Sequence, residues 1–246
     1  MRADAVRDWL PYCGAAPTPQ QWLTRWNTDF VLWAALAAGV AALWNKADGP
    51  RGRKLTVGWA LLAAVLFVSP FCALSSALFS ARVAHHVLLA AVLAPLLVWA
   101  LPATRWPGGL AIWTALQTLT FWLWHAPPAY AAALSADTLY WAMQLTIFGT
   151  SVGFWAALRQ AGPVPGVAAL LISTVQMGLL GALITFAGAP IYAPHLLTTL
   201  AWGMSPLEDQ QLAGLVMWVP SAALYLAAAI WIGHRELGRA ELGAGA

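Results

Sequence analysis

Three stretches of this chain contain no Asp, Glu, Lys or Arg: between Arg105 and Asp137, between Arg159 and Glu208, and between Asp209 and Arg235. About 20 mostly apolar residues suffice for a helix to cross the hydrocarbon core of a bilayer. Backbone in lipid must satisfy its own polar groups, so only helices or closed barrels cross. These unbroken runs lack the alternation of barrel strands. The composition agrees, with 61% hydrophobic and only 9% charged residues, where soluble domains carry about 25% charged. The expectation is an all-α, polytopic membrane protein whose first partner is the lipid bilayer.

Reading apolar runs between breakers gives seven transmembrane helices, roughly 30–44, 55–76, 83–101, 109–126, 139–158, 165–187 and 211–233. The first is short and crosses only if its ends thin the bilayer or dip into the interface. The rest are separated by "NKADGPRGRK", "LPATRWPGG", "HAPPAYAAALSAD", "RQAGPVPG" and "GAPIYAPHLLTTLAWGMSPLED". Many of the 16 tryptophans sit near these ends (Trp26, Trp44, Trp106, Trp124, Trp141, Trp202, Trp231), as an interfacial aromatic belt requires. The division is then an extracytoplasmic segment 1–29, a membrane domain 30–233 and a cytoplasmic tail 234–246.

Orientation follows from the short-loop basic residues. Lys46, Arg51, Arg53, Lys54, Arg105, Arg159, Arg235 and Arg239 share the side of the C-terminus, against Arg2, Arg7, Arg25 and Arg82 on the other. Eight against four places the C-terminus in the cytoplasm and the N-terminus outside. The net charge of +3 is scattered through loops, which gives no nucleic-acid surface. The first residues, "MRADAVRDWLPYCGAAP", mix acids and bases and do not read as a signal peptide. Two cysteines, Cys13 and Cys72, make no disulfide framework. Cys13 is expected as a free thiol, with metal binding or pairing to Cys72 as the alternatives. No Walker, HExxH or Ser-His-Asp pattern is visible, and each charged residue is placed in a loop or at a helix end, unlike the buried charges of proton-coupled transporters.

On this layout His85, His86, His125 and His195 share the outer face with Asp209, Gln210 and Gln211. Only His234 lies on the other side. Gln210, Gly214 and Met217 form one helical stripe. Histidine is the commonest transition-metal ligand, and added thioether suits Cu(I); Asp209 and the glutamines are of the type that orients ligating imidazoles. The structural alternatives are plain. The imidazoles can bond backbone carbonyls at helix ends, Asp209 can favour a helix N-terminus or pair with Arg82, Met217 can simply pack, and Gly178, Gly181 and Ala182 can bring helices close.

The stretch "PLEDQQLAGLVMWVP" resembles the hallmark of the CtaG-type membrane proteins, assembly factors of cytochrome c oxidase first tied to caa-type oxidases. "PYCGAAPTPQQWLTRWNTDF", "VAHHVLLAAVLAPLLV", "WLWHAPPAY" and "MGLLGALITFAGAPIYAPH" resemble further segments of that family, so the likeness runs along almost the whole chain. It implies seven helices and a non-enzymatic role in maturing a haem–copper oxidase in a bacterial inner membrane. The cofactor implied is transient copper; the partners are oxidase subunits and a periplasmic copper chaperone. His86 and His125 are carried over as candidate copper ligands; His195 and Met217, read from the outer-face cluster alone, are secondary ones. Asp209, Gln210, Gln211 and Arg82 are supporting or partner-binding residues. Two departures stand out: Arg82 replaces a histidine that many members have, and "LYWAMQL", with Tyr140, Met143 and Gln144, replaces a histidine-bearing start of helix five. The alternatives are a copper channel or importer passing Gln117, Ser173, Thr174 and Gln176, a haem-binding membrane enzyme, and a chaperone without metal.

Overall fold

The computed structural model describes Trp9 and residues 11–244, and their regular structure is entirely helical. In chain order the α-helices are α1 (Phe30–Lys46), α2 (Gly49–Phe67), α3 (Pro70–Ala77), α4 (Phe79–Leu88), α5 (Ala94–Ala100), α6 (Leu110–His125), α7 (Pro127–Ala133), α8 (Asp137–Gln160), α9 (Pro163–Thr185) and α10 (Pro206–Ala244). Each of the seven expected segments is helical. Three stretches are long and apolar enough to cross a membrane, namely Phe79–Ala100, Pro163–Thr185 and Pro206–Arg235, and a bent α2–α3 pair makes a fourth if counted as one span. The 17 residues of α1 and 16 of α6 reach only about 25 Å at 1.5 Å per residue. Arg2 and Arg7 of the charge comparison, and the side chain of Arg239, lie outside the described residues.

Several helix boundaries depart from the sequence reading: α2 and α10 begin earlier than expected, α7 lies in a stretch read as loop, and two further departures bear on the site. The single span expected over 55–76 is instead two helices bent by 44°. The break is local chemistry: Ser69 Oγ accepts from the Phe71 N–H at 3.2 Å and Pro70 takes the first position of α3, a favourable helix start. Expected at 83, the third span begins at Phe79, so Arg82 stands inside the helix, fully buried, rather than at its mouth.

Between α4 and α5 the backbone widens into one π-helical stretch, Leu89–Leu93. Trp155 of α8 donates its indole N–H to the Ala90 carbonyl there at 2.8 Å. At the far end, Arg159 Nη1 donates to the carbonyls of Val98 and Leu101, each at 2.8 Å, which closes α5. The helices α9 and α10 pack closely because both present glycine: a Cβ on Gly214 would stand 2.5 Å from the Gly181 carbonyl oxygen. Close approach by small residues is the usual device of membrane helices. Inside α10, Pro220 is accommodated, and the Ser221 hydroxyl donates to the Met217 carbonyl.

The segment before α1 lies against the end of the bundle that holds the histidines. Cys13 and Cys72 form a disulfide with their Cα atoms 5.4 Å apart, which corrects the expected free thiol. The Tyr12 ring stacks on Tyr140 at 5.0 Å and its hydroxyl donates to Asp29 at 2.5 Å. Asp29 also caps α1 by accepting from the Val31 N–H at 2.9 Å. These two bonds, that from Tyr12 foremost, hold the Asp29 carboxyl below the usual carboxylate range.

Candidate functional site

His86 and His125 meet across the α4–α6 interface, His86 Nδ1 lying 3.3 Å from His125 Nε2. Both side chains are buried. Backbone carbonyls fix the ring chemistry. His125 Nδ1 lies 2.8 Å from the Phe121 carbonyl oxygen; that oxygen only accepts, so Nδ1 carries the hydrogen and Nε2 of a neutral ring offers a lone pair. The remaining bond then runs from His86 Nδ1–H to His125 Nε2. His86 Nε2 is left as a buried nitrogen with no hydrogen-bond partner among the described residues. His85 points elsewhere, with Nε2 donating to the Leu66 carbonyl at 3.1 Å and Nδ1 unpartnered.

Asp209 does not pair with Arg82. Its carboxylate accepts from the Phe79 N–H at 2.6 Å, the Ser80 N–H at 3.1 Å and the Ser80 hydroxyl at 2.5 Å. It therefore serves as the N-terminal cap of α4, whose own flanking residue, Leu78, has no capping side chain. Gln210 is equally committed: its Oε1 accepts from the Ile191 N–H at 2.8 Å, and its Nε2 donates to the carbonyls of Ile184 and Ala189 at 3.2 and 3.3 Å. It thereby ties the loop after α9 to the start of α10. The Gln211 side chain is only half-buried; its backbone carbonyl accepts from the Thr185 hydroxyl at 3.4 Å. Met217 is fully buried on the Gln210–Gly214 stripe.

Arg82 sits one turn before His86, and its guanidinium carbon lies 5.2 Å from the centre of the Tyr140 ring. The guanidinium is near the hydroxyls of Tyr130 and Tyr140, but no nitrogen of it makes a hydrogen bond of acceptable geometry. One turn on from Tyr140, the buried Gln144 amide is also without partners. Buried polar groups are nearly always paired. The collection of unsatisfied atoms on successive turns of α4 and α8 therefore sets this region apart from ordinary packing.

His195 belongs to a separate cluster. Its Nδ1 donates to the Ala77 carbonyl at 3.3 Å and its Nε2 accepts from the Tyr130 hydroxyl at 2.7 Å. Phe79 stacks on Tyr192 with ring centroids 3.7 Å apart, and the Tyr192 hydroxyl donates to the His125 carbonyl at 2.7 Å. Burial, opposed only by the Ala77 bond, pushes His195 down to about 3. The structure thus brings His86 and His125 together, places Asp209 and Gln210 in the scaffold around them, and gives His195 its own partners. Among the described residues no group of three or more His, Cys, Asp or Glu side chains is arranged to hold a metal. Tyr130, Tyr192 and Ser80 were not singled out from sequence; a tyrosine two residues after a helix-starting Pro-Pro pair was the one available signal for Tyr130.

Residues 110–237 match the family described as cytochrome c oxidase caa3 assembly factor (Caa3_CtaG). No curated protein sequence and no solved structure matches the chain.

Proposed function

The chain belongs to the cytochrome c oxidase caa3 assembly factor family, and on that premise we propose that it hands copper to a haem–copper oxidase at the outer face of a bacterial inner membrane, through His86 and His125. One observation carries the ligand assignment: the Phe121 carbonyl fixes the His125 tautomer so that Nε2 faces His86 Nδ1 at 3.3 Å. A carbonyl holding the far nitrogen is the usual support of a ligating imidazole. Two neutral imidazoles suit Cu(I), which accepts two-coordinate geometry. With metal–imidazole bonds of about 2 Å, the two nitrogens would part by less than about 1 Å to admit the ion, and the His86 hydrogen would pass from Nδ1 to its unpartnered Nε2. Met217 and His195 stay secondary, since His195 already has two partners.

The outward orientation of this end is part of the proposal, together with seven crossings and the N-terminus outside. It is supported by the basic-residue bias and by the Cys13–Cys72 bond at the same end, because disulfides persist in oxidising compartments. A non-enzymatic role and an oxidase-subunit or copper-chaperone partner follow from the same reading. The test is deletion of the protein, with oxidase activity measured in membranes at low and added copper. Lost activity rescued by copper supports delivery. Lost activity that copper does not rescue points to a chaperone holding the subunits, and unchanged activity removes the assembly role.

A second reading, a copper path across the membrane, is favoured by one feature. Gln117, Ser173, Gln176 and Met177 line a narrow cleft next to Phe121, on the side of His125 towards the opposite end of α6. It has room for roughly one water molecule. Cellular copper uptake with and without the protein separates the two.

A further inference from the structure

At the bundle end opposite the histidines, α8, α5 and α10 enclose a cleft of about 450 Å³, walled by Trp99, Trp155 and Trp231 and carrying Arg159 and Arg235. Its position along α8 is informative. Tyr140 marks the histidine end and Arg159 the cleft, and 19 residues of helix span about 28 Å, close to the roughly 30 Å of a hydrocarbon core. The cleft therefore lies at the second membrane interface, where headgroup phosphates sit.

We infer that this cleft binds an anionic phospholipid, with the headgroup phosphate on Arg159 and Arg235 and an acyl chain along the tryptophan wall. Arg159 is held in place: Nη1 donates to two carbonyls of the α5 terminus, so the three N–H groups on Nε and Nη2 remain for a ligand. Arg235 lies with its guanidinium carbon 4.8 Å from the centre of the Trp231 ring. That stacking leaves the planar fork free to bind phosphate through two bonds. Two cations therefore face one cleft. Among the described residues lining it there is no Asp or Glu, so nothing complements the amine of a zwitterionic headgroup. This charge pattern selects phosphatidylglycerol-type lipids over phosphatidylcholine. Basic pockets between helices, at the end where short-loop Lys and Arg accumulate, are the known setting for such headgroups. The inference depends on the membrane placement and is independent of copper.

The test is native mass spectrometry of the full chain, extracted from vesicles of equal phosphatidylglycerol and phosphatidylcholine with matched acyl chains. Phosphatidylglycerol is expected to be retained in preference, and Arg235→Gln, which breaks no hydrogen bond among the described residues, is expected to cut that preference by about fivefold with thermal stability unchanged. Arg159→Lys is expected to lower it further. Equal retention of both lipids by the wild type, or an unaltered preference in both variants, overturns the assignment. Displacement of the bound lipid by millimolar inorganic phosphate reassigns the cleft to a soluble anion and overturns it as well.

Discussion

Asp209 accepts two hydrogen bonds from Ser80, one from its backbone N–H at 3.1 Å and one from its hydroxyl at 2.5 Å, across 129 positions of sequence. The carboxylate at the head of α10 thus holds the first turn of the helix that carries His86. This explains why so polar a stretch opens an apolar helix: "EDQQ" is largely scaffold for the site. Replacing Asp209 by Ala leaves buried N–H groups of Phe79 and Ser80 without acceptors, and is expected to destabilise the protein by about 2–3 kcal/mol. Asp209→Asn, which keeps one acceptor oxygen, is expected to lose less. Thermal unfolding of the two variants in detergent checks the order, and equal stability of wild type and Asp209→Ala contradicts the cap.

The copper assignment makes a sharper demand. His86→Gln and His125→Gln are each expected to weaken Cu(I) binding by more than about 100-fold, since even outer partners of metal ligands are worth 10–100-fold. His195→Gln is expected to leave it within about threefold, as its nitrogens are engaged elsewhere. Competition against a colourimetric Cu(I) chelator measures all three. Equal losses in all three variants would mean that the imidazole pair is not the binding unit.

His195 sets a pH dependence whose sign can be worked out. Its folded value, pushed down to about 3, lies below the ordinary imidazole value of about 6.5. The unfolded chain therefore takes up a proton that the folded chain refuses. Stability contributed by this group is complete above about pH 6.5 and falls by up to about 1.4 kcal/mol per unit as pH drops below that. His195→Gln, which removes the titration, is expected to flatten the fall in melting temperature between pH 6.5 and pH 5. An identical pH slope in that variant assigns the loss to other groups.

The Cys13–Cys72 bond closes a loop of 59 positions, for which chain entropy gives at most about 4 kcal/mol of stabilisation. Reduction, or Cys13→Ser with Cys72→Ser, is expected to lower the melting temperature and to expose the segment before α1 to protease. Thiol labelling of the native protein with and without reductant checks the premise; full labelling without reductant refutes it.

Much of the architecture could be read from local chemistry, and its failures have physical causes. The three charge-free runs located α6, α9 and α10. Gly181, expected to bring helices close, does so against Gly214 of α10, and the Gln210–Gly214–Met217 stripe is buried as its spacing requires. The start of α4 was missed because its cap comes from Asp209, far along the chain, while Leu78 offers none. The disulfide stood only as an alternative to a free thiol for a similar reason: nothing near Cys13 in sequence selects Cys72. The α2–α3 break and α7 are different, since Ser69-Pro70 and Pro127-Pro128 are ordinary helix-start signals inside stretches read as span and as loop. Of the site, residue types were legible but partners were not. Carbonyl bonding of His85, His125 and His195 depends on tertiary placement, and the exclusion of His195 from the imidazole pair depends on Tyr130.

The π-helical stretch Leu89–Leu93 accommodates one residue more than an α-helix would over the same rise. It acts as a phase shifter in a rod: α4 before it is indexed to His125 and Asp209, while α5 after it is indexed to Arg159. Wound as a regular α-helix, the same residues would rotate one half against the other by about 100°. Either His86 would turn from its partner or the Val98 and Leu101 carbonyls would turn from theirs. The angular setting between the two ends of this rod is thus carried by a single inserted residue, and a regular helix of the same composition could not serve both.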